Sequence, residues 1–126
     1  MKELKFADPL AELIAQGKKG TTWRVNDDKE LTTGDSLRLV HKSTGRLFGR
    51  GVITEVNQRT FGTLQPQDFD GHEPFINDEQ MLETYRGYYR DPNIGSDTSV
   101  TVTKFVLRVV CTVPGSDDTD VMVLHS

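Results

Sequence analysis

The sequence is poor in cysteine: Cys111 is the only one in 126 residues. A single cysteine excludes an intramolecular disulfide, a four-cysteine zinc site and Cys-x-x-Cys redox chemistry. No apolar run approaches the roughly 18 residues of a membrane-spanning helix. The first five residues, Met-Lys-Glu-Leu-Lys, lack the apolar core of a signal peptide. The length is that of one domain, so we expect a soluble, cytoplasmic, single-domain protein.

Charge is unevenly distributed along the chain. The 15 lysines and arginines and 19 aspartates and glutamates give a net charge of −4. Residues 1–50 carry 10 basic and 7 acidic side chains, a sum of +3, whereas residues 51–126 carry 5 and 12, a sum of −7. Overall acidity disfavours unselective binding to duplex DNA, which depends on many phosphate contacts. A local basic face that holds one nucleotide or a short single strand stays open, beside the alternative of an ordinary mixed surface.

Apolar periodicity predicts two helices and five or six mostly antiparallel strands. Asp8 as N-cap, Pro9 in the first turn and Gly17 after the last turn delimit the first helix, and Asn77 caps the second. The other predicted elements are strands at 21–25, 36–41, 47–56 and 99–112, a short helical turn at Pro66 and an optional edge strand at 121–124.

Glycines and strand length indicate bends in the sheet. Gly49 and Gly51 interrupt the third predicted strand, and the last long strand requires a bulge or bend near Lys104. Short, bent strands favour a small, partly closed β-barrel over an open sheet, so the predicted fold class is α+β. We place this domain at residues 1–113 and an acidic C-terminal extension at 114–126.

A cluster of polar residues follows the first helix. Residues 17–24 read Gly-Lys-Lys-Gly-Thr-Thr-Trp-Arg, or G-x-K-x-x-T-x-R. Because side chains alternate along a strand, Thr22 and Arg24 are predicted on one face and Trp23 on the other, in the core. Lys19 precedes the strand in a loop and can converge with them on one pocket. Taken alone, such a segment is more often a helix end followed by a solvated edge strand.

Together with the segments that follow it, this motif resembles the ASCH (ASC-1 homology) family. The similarity covers roughly residues 4–110 and includes the Thr-Gly-Asp turn at 33–35, the Gly-His-Glu-Pro-Phe segment at 71–75 and the tyrosine-rich helix end at 85–89. The resemblance implies a PUA-like fold, a small β-barrel with helices at its mouth, and an association with RNA or modified nucleosides.

Some small bacterial members of that family, which this chain resembles, are amidohydrolases that remove the acetyl group from N4-acetylcytidine. Their motif lysine, their motif threonine and a later glutamate are catalytic. Carried over residue by residue, the resemblance implies three catalytic residues, Lys19, Thr22 and Glu73, and we expect three substrate-binding residues, Gly17, Arg24 and His72. This chain has glycine at position 20, where those members usually carry threonine or another side chain.

Hydrolysis of an acylamide needs a nucleophile, a base and a group that stabilises the oxyanion. The Thr22 hydroxyl attacks only if a neighbour takes its proton, and Lys19 does so only if burial or a nearby cation lowers its pKa. Arg24 is the candidate cation and a candidate oxyanion or pyrimidine partner. Glu73 would position the base or a water; its alternative roles are a cap for the second helix and a partner for Arg24. We expect these side chains in one cleft, with Lys19 and Thr22 near hydrogen-bond distance, ~3 Å.

The remaining candidate residues receive structural interpretations. The three histidines lack the spacing of metal ligands, so no metal and no other cofactor is expected. The three tyrosines near the end of the second helix are interpreted as helix packing, with base stacking at the pocket mouth as the alternative for one of them. Cys111 is interpreted as a buried strand residue rather than a nucleophile.

The alternative function is a module that binds RNA or a nucleotide without chemistry. Its positive surface would consist of Lys18, Lys19, Arg24, Lys42, Arg46 and Arg50. A ribonuclease activity, suggested for some ASCH-like proteins, lacks the support of a histidine pair here. The expected partners are therefore a modified nucleoside or single-stranded RNA, with no membrane and no duplex DNA.

Overall fold

A computed structural model describes residues 2–26, 29–111 and 121–123. Most of the predicted acidic extension at 114–126 lies outside the described residues, as does the side chain of Cys111. The elements are β1 (Lys2–Phe6), α1 (Asp8–Ala15), β2 (Thr21–Arg24), β3 (Ser36–His41), β4 (Leu47–Thr60), 3-10 turns at Phe61–Thr63 and Pro66–Phe69, α2 (Asp78–Tyr89), β5 (Ser99–Cys111) and β6 (Val121–Val123). None of the helices in the described part is long and apolar enough to cross a membrane.

The strands form one mixed sheet that curls into a half-barrel. Its order is β1-β3-β4-β5-β2, and β6 adds to the outer edge of β5 beyond the end of β2. The β1–β3 pair is parallel and the other pairs are antiparallel. The predicted fold class, a small α+β barrel, is confirmed. Because β1 and β2 are the two ends of the order, they form the open seam of the half-barrel.

Strand β1 is absent from the sequence prediction, and it changes how the first helix begins. Leu4 and Phe6 alternate into the core, which gives the five residues before the helix a buried face. The N-cap is Ala7 rather than the predicted Asp8, and it makes no side-chain cap bond. The Asp8 carboxylate instead accepts a hydrogen bond from Ser43 and contacts the His41 ring, both at 3.1 Å. It is therefore committed to the β3–β4 turn and not to the helix end.

The predicted bends are present where β4 crosses β5. The register shifts between Ile53 and Glu55, opposite Lys104, so the extra residue lies in β4. Gly51 lies at a second shift, and a Cβ at this position would be 2.7 Å from the carbonyl oxygen of Val106. Glycine lets the two backbones approach closely enough for the sheet to curl.

Two hydrophobic clusters hold the helices against the sheet. The first places α1, through Ile14, against Leu37, Leu39 and Phe105. The second places α2 against the β2–β5 end of the sheet, and its members include Trp23, Phe61, Met81, Tyr85, Val100 and Val102. As predicted, the Asn77 side chain caps α2 by accepting a hydrogen bond from the Gln80 amide at 2.8 Å. The second cluster therefore fixes α2 beside the open seam.

Candidate active site

The turn between α1 and β2 is tied to a distant loop. Gly17 ends α1 with a left-handed φ of 77°, a conformation that glycine adopts without strain. The amides of Gly20 and Thr21 then both donate to the carbonyl oxygen of Gly71, at 2.9 and 3.1 Å. A Cβ on residue 20 would lie 3.1 Å from the Phe105 carbonyl oxygen, so glycine suits this tightly packed turn. These bonds join the motif loop to the segment that carries Glu73.

Lys19 and Glu73 form a close ion pair in this junction. The distance from Lys19 Nζ to Glu73 Oε2 is 2.7 Å, and Nζ also donates to the Thr21 carbonyl oxygen at 2.7 Å. The Lys19 side chain is 2% exposed and that of Glu73 is 19% exposed. Two of the three N–H donors of the Lys19 ammonium group thus have acceptors, and the third has no partner within the described residues.

Burial and charge act in opposite directions on this pair. Burial lowers the pKa of Lys19 below its usual value, and the attraction of Glu73 opposes the shift without cancelling it. For Glu73, burial alone would raise the pKa, but the charge of Lys19 and the hydrogen bond from Lys19 outweigh it, so its pKa is lowered. Lys19 therefore loses its proton more readily than a free lysine does, and a general base needs this property.

A buried hydrogen-bond chain supports Glu73 from behind. Burial and the nearby Lys19 charge lower the pKa of His72 to about 4, so its ring is neutral at pH 7. Its Nδ1 lies 2.9 Å from the Glu73 carbonyl oxygen and its Nε2 lies 3.1 Å from the Tyr85 hydroxyl. A carbonyl can only accept, so Nδ1 carries the proton and Tyr85 donates to Nε2. The ring also stacks on Trp23, with centroids 3.9 Å apart.

A cavity of about 280 Å³ opens at the seam of the half-barrel. Both edge strands line it: Lys5 and Phe6 come from β1, and Thr22, Trp23 and Arg24 come from β2. The other polar lining residues are Lys19, Lys42, Glu73 and the three tyrosines of α2.

The structure brings four of the predicted site residues to this cavity: Lys19, Thr22, Arg24 and Glu73. Gly17 is exposed at the helix end and His72 is buried behind Glu73, and neither is among the described lining residues. Trp23 is buried as predicted, yet it also lines the cavity instead of facing wholly away from it.

The structure does not show the hydrogen bond that we expect between Lys19 and Thr22. Among the described residues no hydrogen bond joins them, because Nζ is held by the preceding carbonyl, that of Thr21, and by Glu73. Thr22 Oγ1 makes no hydrogen bond within that part of the chain, and Thr22 lines the same cavity. The hydroxyl is therefore free to donate its hydrogen to a base or to bind a ligand.

Sequence reasoning missed one wall of the site. Lys5 and Phe6 were not identified because β1 was not predicted, although the alternation of Leu4 and Phe6 before Pro9 was the available signal. In the described chain no group of three histidine, cysteine, aspartate or glutamate side chains is arranged to hold a metal ion.

Comparison with known proteins identifies the fold. No protein-family model matches the chain, and no curated protein matches it. Solved structures do match. Protein EF3133 of Enterococcus faecalis V583, described as a DUF984 protein, superposes with a TM-score of 0.67 at 13% identity over 85% of this chain and 76% of its own.

Two ASCH structures are also similar. The ASCH domain of Lactobacillus crispatus JV V101 has a TM-score of 0.60 at 14% identity, covering 84% of this chain and 79% of its own. ASCH from Zymomonas mobilis has a TM-score of 0.58 at 14% identity, covering 98% and 86%. The chain therefore has an ASCH-type fold, as the sequence resemblance implied.

Proposed function

We propose that this protein is an amidohydrolase that removes the acyl group from N4-acylated cytidine or a related modified nucleoside. The observation that carries the proposal is the buried Lys19, whose pKa is lowered, bonded to Glu73 at 2.7 Å in the cavity that also presents the Thr22 hydroxyl. The ASCH-type fold and the matching G-x-K-x-x-T-x-R motif support it.

In the first half-reaction, Thr22 Oγ1 attacks the acyl carbon and Lys19 accepts its proton. A neutral lysine amine has two hydrogens and one lone pair. The Thr21 carbonyl and the Glu73 carboxylate accept hydrogen bonds from the two hydrogens of the amine. The lone pair is therefore left to accept the proton of the Thr22 hydroxyl. The half-buried Arg24 guanidinium supplies positive charge for the oxyanion. The Lys19 ammonium then protonates the leaving N4 amine, and the acyl group remains on Thr22 as an ester.

In the second half-reaction, water hydrolyses that ester. Glu73 and Lys19 orient the water and take one of its protons, and the carboxylic acid leaves while Thr22 regains its hydrogen. The balance is one amide and one water consumed, one amine and one acid formed. The base must be neutral at the start of each cycle, and the ion pair opposes this. A bound nucleobase excludes water from the cavity, which further disfavours the charged form of Lys19 and favours release of its proton.

A chromatographic assay with N4-acetylcytidine tests this function. Thr22→Val and Lys19→Met should each lower kcat by at least about 10³-fold, because each removes a group that the first step requires. Lys18→Met is the matched control, since Lys18 is exposed and does not line the cavity; it should retain wild-type turnover. Circular dichroism verifies that each variant is folded. Wild-type protein that releases no cytidine at high enzyme concentration would refute the proposal.

The second candidate is a module that binds RNA or a nucleotide without chemistry, with a ribonuclease activity as a variant of this reading. The observation in its favour is the excess of cationic residues on the cavity wall: Lys5, Lys19, Arg24 and Lys42 against Glu73. Binding to single-stranded RNA should then weaken steeply with salt. RNA bound and left uncut, together with no amide hydrolysis, would favour this candidate over the first.

A further inference from the structure

Within the residues that the structure describes, three cationic side chains around the cavity lack an anionic partner. Lys5, Arg24 and Lys42 line the wall, and none of them forms an ion pair within the described residues. The carboxylate on the wall, Glu73, is already bonded to Lys19. Carboxylates are not scarce in the described part of the chain, which holds 14 of the 19 acidic residues. An unmatched positive charge of three in one place therefore points to an anionic ligand.

Exposure divides the cavity into a floor and a rim. Lys19 and Thr22 are buried, Arg24 is half-buried, and Lys5 and Lys42 are exposed. The reactive groups thus lie at the floor, and two of the unmatched cations lie at the rim. A ligand that reaches both must carry its anionic group at the end remote from the reacting bond.

The strand pairing places the two rim lysines on the same face of the β1–β3 pair, offset by two residues. Strands β1 and β3 run parallel, with Lys5 opposite Val40, and the Lys42 amide donates to the Phe6 carbonyl oxygen at 2.8 Å. Two ammonium groups from neighbouring strands can bind the oxygens of one phosphate. The exposed Tyr88 on the cavity wall offers an aromatic face for a ring.

We propose that the substrate of this site is a nucleoside monophosphate, with its acylated base on Lys19 and Thr22 and its phosphate on Lys5 and Lys42. This inference rests on the proposed amidohydrolase function, whose substrate it narrows. The volume of about 280 Å³ lies just below the usual range of ligand cavities, ~300–1,000 Å³. It suits a single base at the floor rather than several nucleotides of a strand.

Calorimetric titration with the deacylated products tests the phosphate site without turnover. Cytidine 5′-monophosphate should bind about tenfold more tightly than cytidine in about 50 mM salt, and the ratio should shrink in about 300 mM salt. The Lys5→Met/Lys42→Met double variant should bring the ratio close to one. The Lys18→Met/Arg46→Met double variant removes the same charge from exposed residues that do not line the cavity, and it should keep the wild-type ratio.

Three results would overturn the inference. The first is equal affinity for the nucleotide and the nucleoside, and the second is an equal loss in both double variants. The third is a cytidine-containing tetranucleotide that binds more than tenfold tighter than the monophosphate, which would assign the site to an RNA strand. Failure of the hydrolase proposal would be recognised separately, because Thr22→Val should retain the preference for the nucleotide over the nucleoside. A wild-type protein that shows this preference but no turnover would support the phosphate site and refute the amidohydrolase reaction.

Discussion

Mild acid should destabilise this protein through His72. An ordinary histidine has a pKa near 6.5, whereas burial and the Lys19 charge lower the pKa of His72 to about 4 in the folded state. Between these values the unfolded chain binds a proton that the folded protein does not, so stability falls as the pH falls. From pH 7.5 to pH 5 this difference amounts to about 2 kcal/mol for one histidine.

Urea unfolding measures this loss directly. Trp23 is the only tryptophan, is buried and stacks on His72, so its fluorescence reports unfolding of this region. A loss of about 2 kcal/mol corresponds to a fall of roughly 1 M in the urea midpoint, since the slope is ~1–3 kcal/mol per molar urea. His72→Gln should be less stable at pH 7.5 but should lose less on acidification, because glutamine does not titrate.

The window from pH 7.5 to pH 5 separates His72 from its neighbours. The lowered pKa of Glu73 affects stability only as the pH falls below the usual carboxylate range, and that of Lys19 acts only in the alkaline range. The reasoning would be refuted if wild type and His72→Gln lost the same free energy of unfolding over this window.

Two further variants test the geometry of the site and of the sheet. Tyr85→Phe removes the donor to His72 Nε2 and should cost about 1–3 kcal/mol in urea unfolding; in the acylcytidine assay it should lower kcat more than it raises KM. Gly51→Ala places a Cβ 2.7 Å from the Val106 carbonyl oxygen and should destabilise by about 1–3 kcal/mol. Its control, Gly87→Ala in open space on α2, should stabilise by about 0.5–1 kcal/mol; the opposite order would refute the packing argument.

Local signals made part of the fold predictable. The helix from Asn77 has a capping residue and an apolar stripe within a few residues, and β3 has clear alternation, so both appear where they were predicted. The Pro66 turn likewise depends on its own residues. Strand β1 has only two buried apolar side chains and depends on β3, 30 residues or more away in sequence, for its hydrogen bonds. Such a strand is stable only in its tertiary context.

The site was less predictable than the fold because its residues meet through distant contacts. Alternation in β2 predicts Thr22 and Arg24 on one face, and both residues line the cavity. The pairing of Lys19 with Glu73 spans 54 residues, and only the family resemblance brought Glu73 forward. Lys19 and Glu73 are brought together by two hydrogen bonds from backbone amides to the Gly71 carbonyl oxygen. No local sequence pattern indicates these bonds. Trp23 lines the cavity as well because β2 is an edge strand, with an open seam beside it.

The open seam explains why buried charges are tolerated at this position. A barrel closed by β1–β2 pairing would fill the gap with backbone hydrogen bonds and would leave no cavity for Lys19 and Glu73. In the half-barrel, the edge strands remain apart, and α2 covers one side of the opening with Tyr85 and Tyr89. The Tyr89 hydroxyl accepts a hydrogen bond from the Val25 amide at 2.9 Å, just beyond β2. That bond satisfies a backbone donor at the edge without closing the sheet, and it comes from the same helix that supports Glu73 through His72.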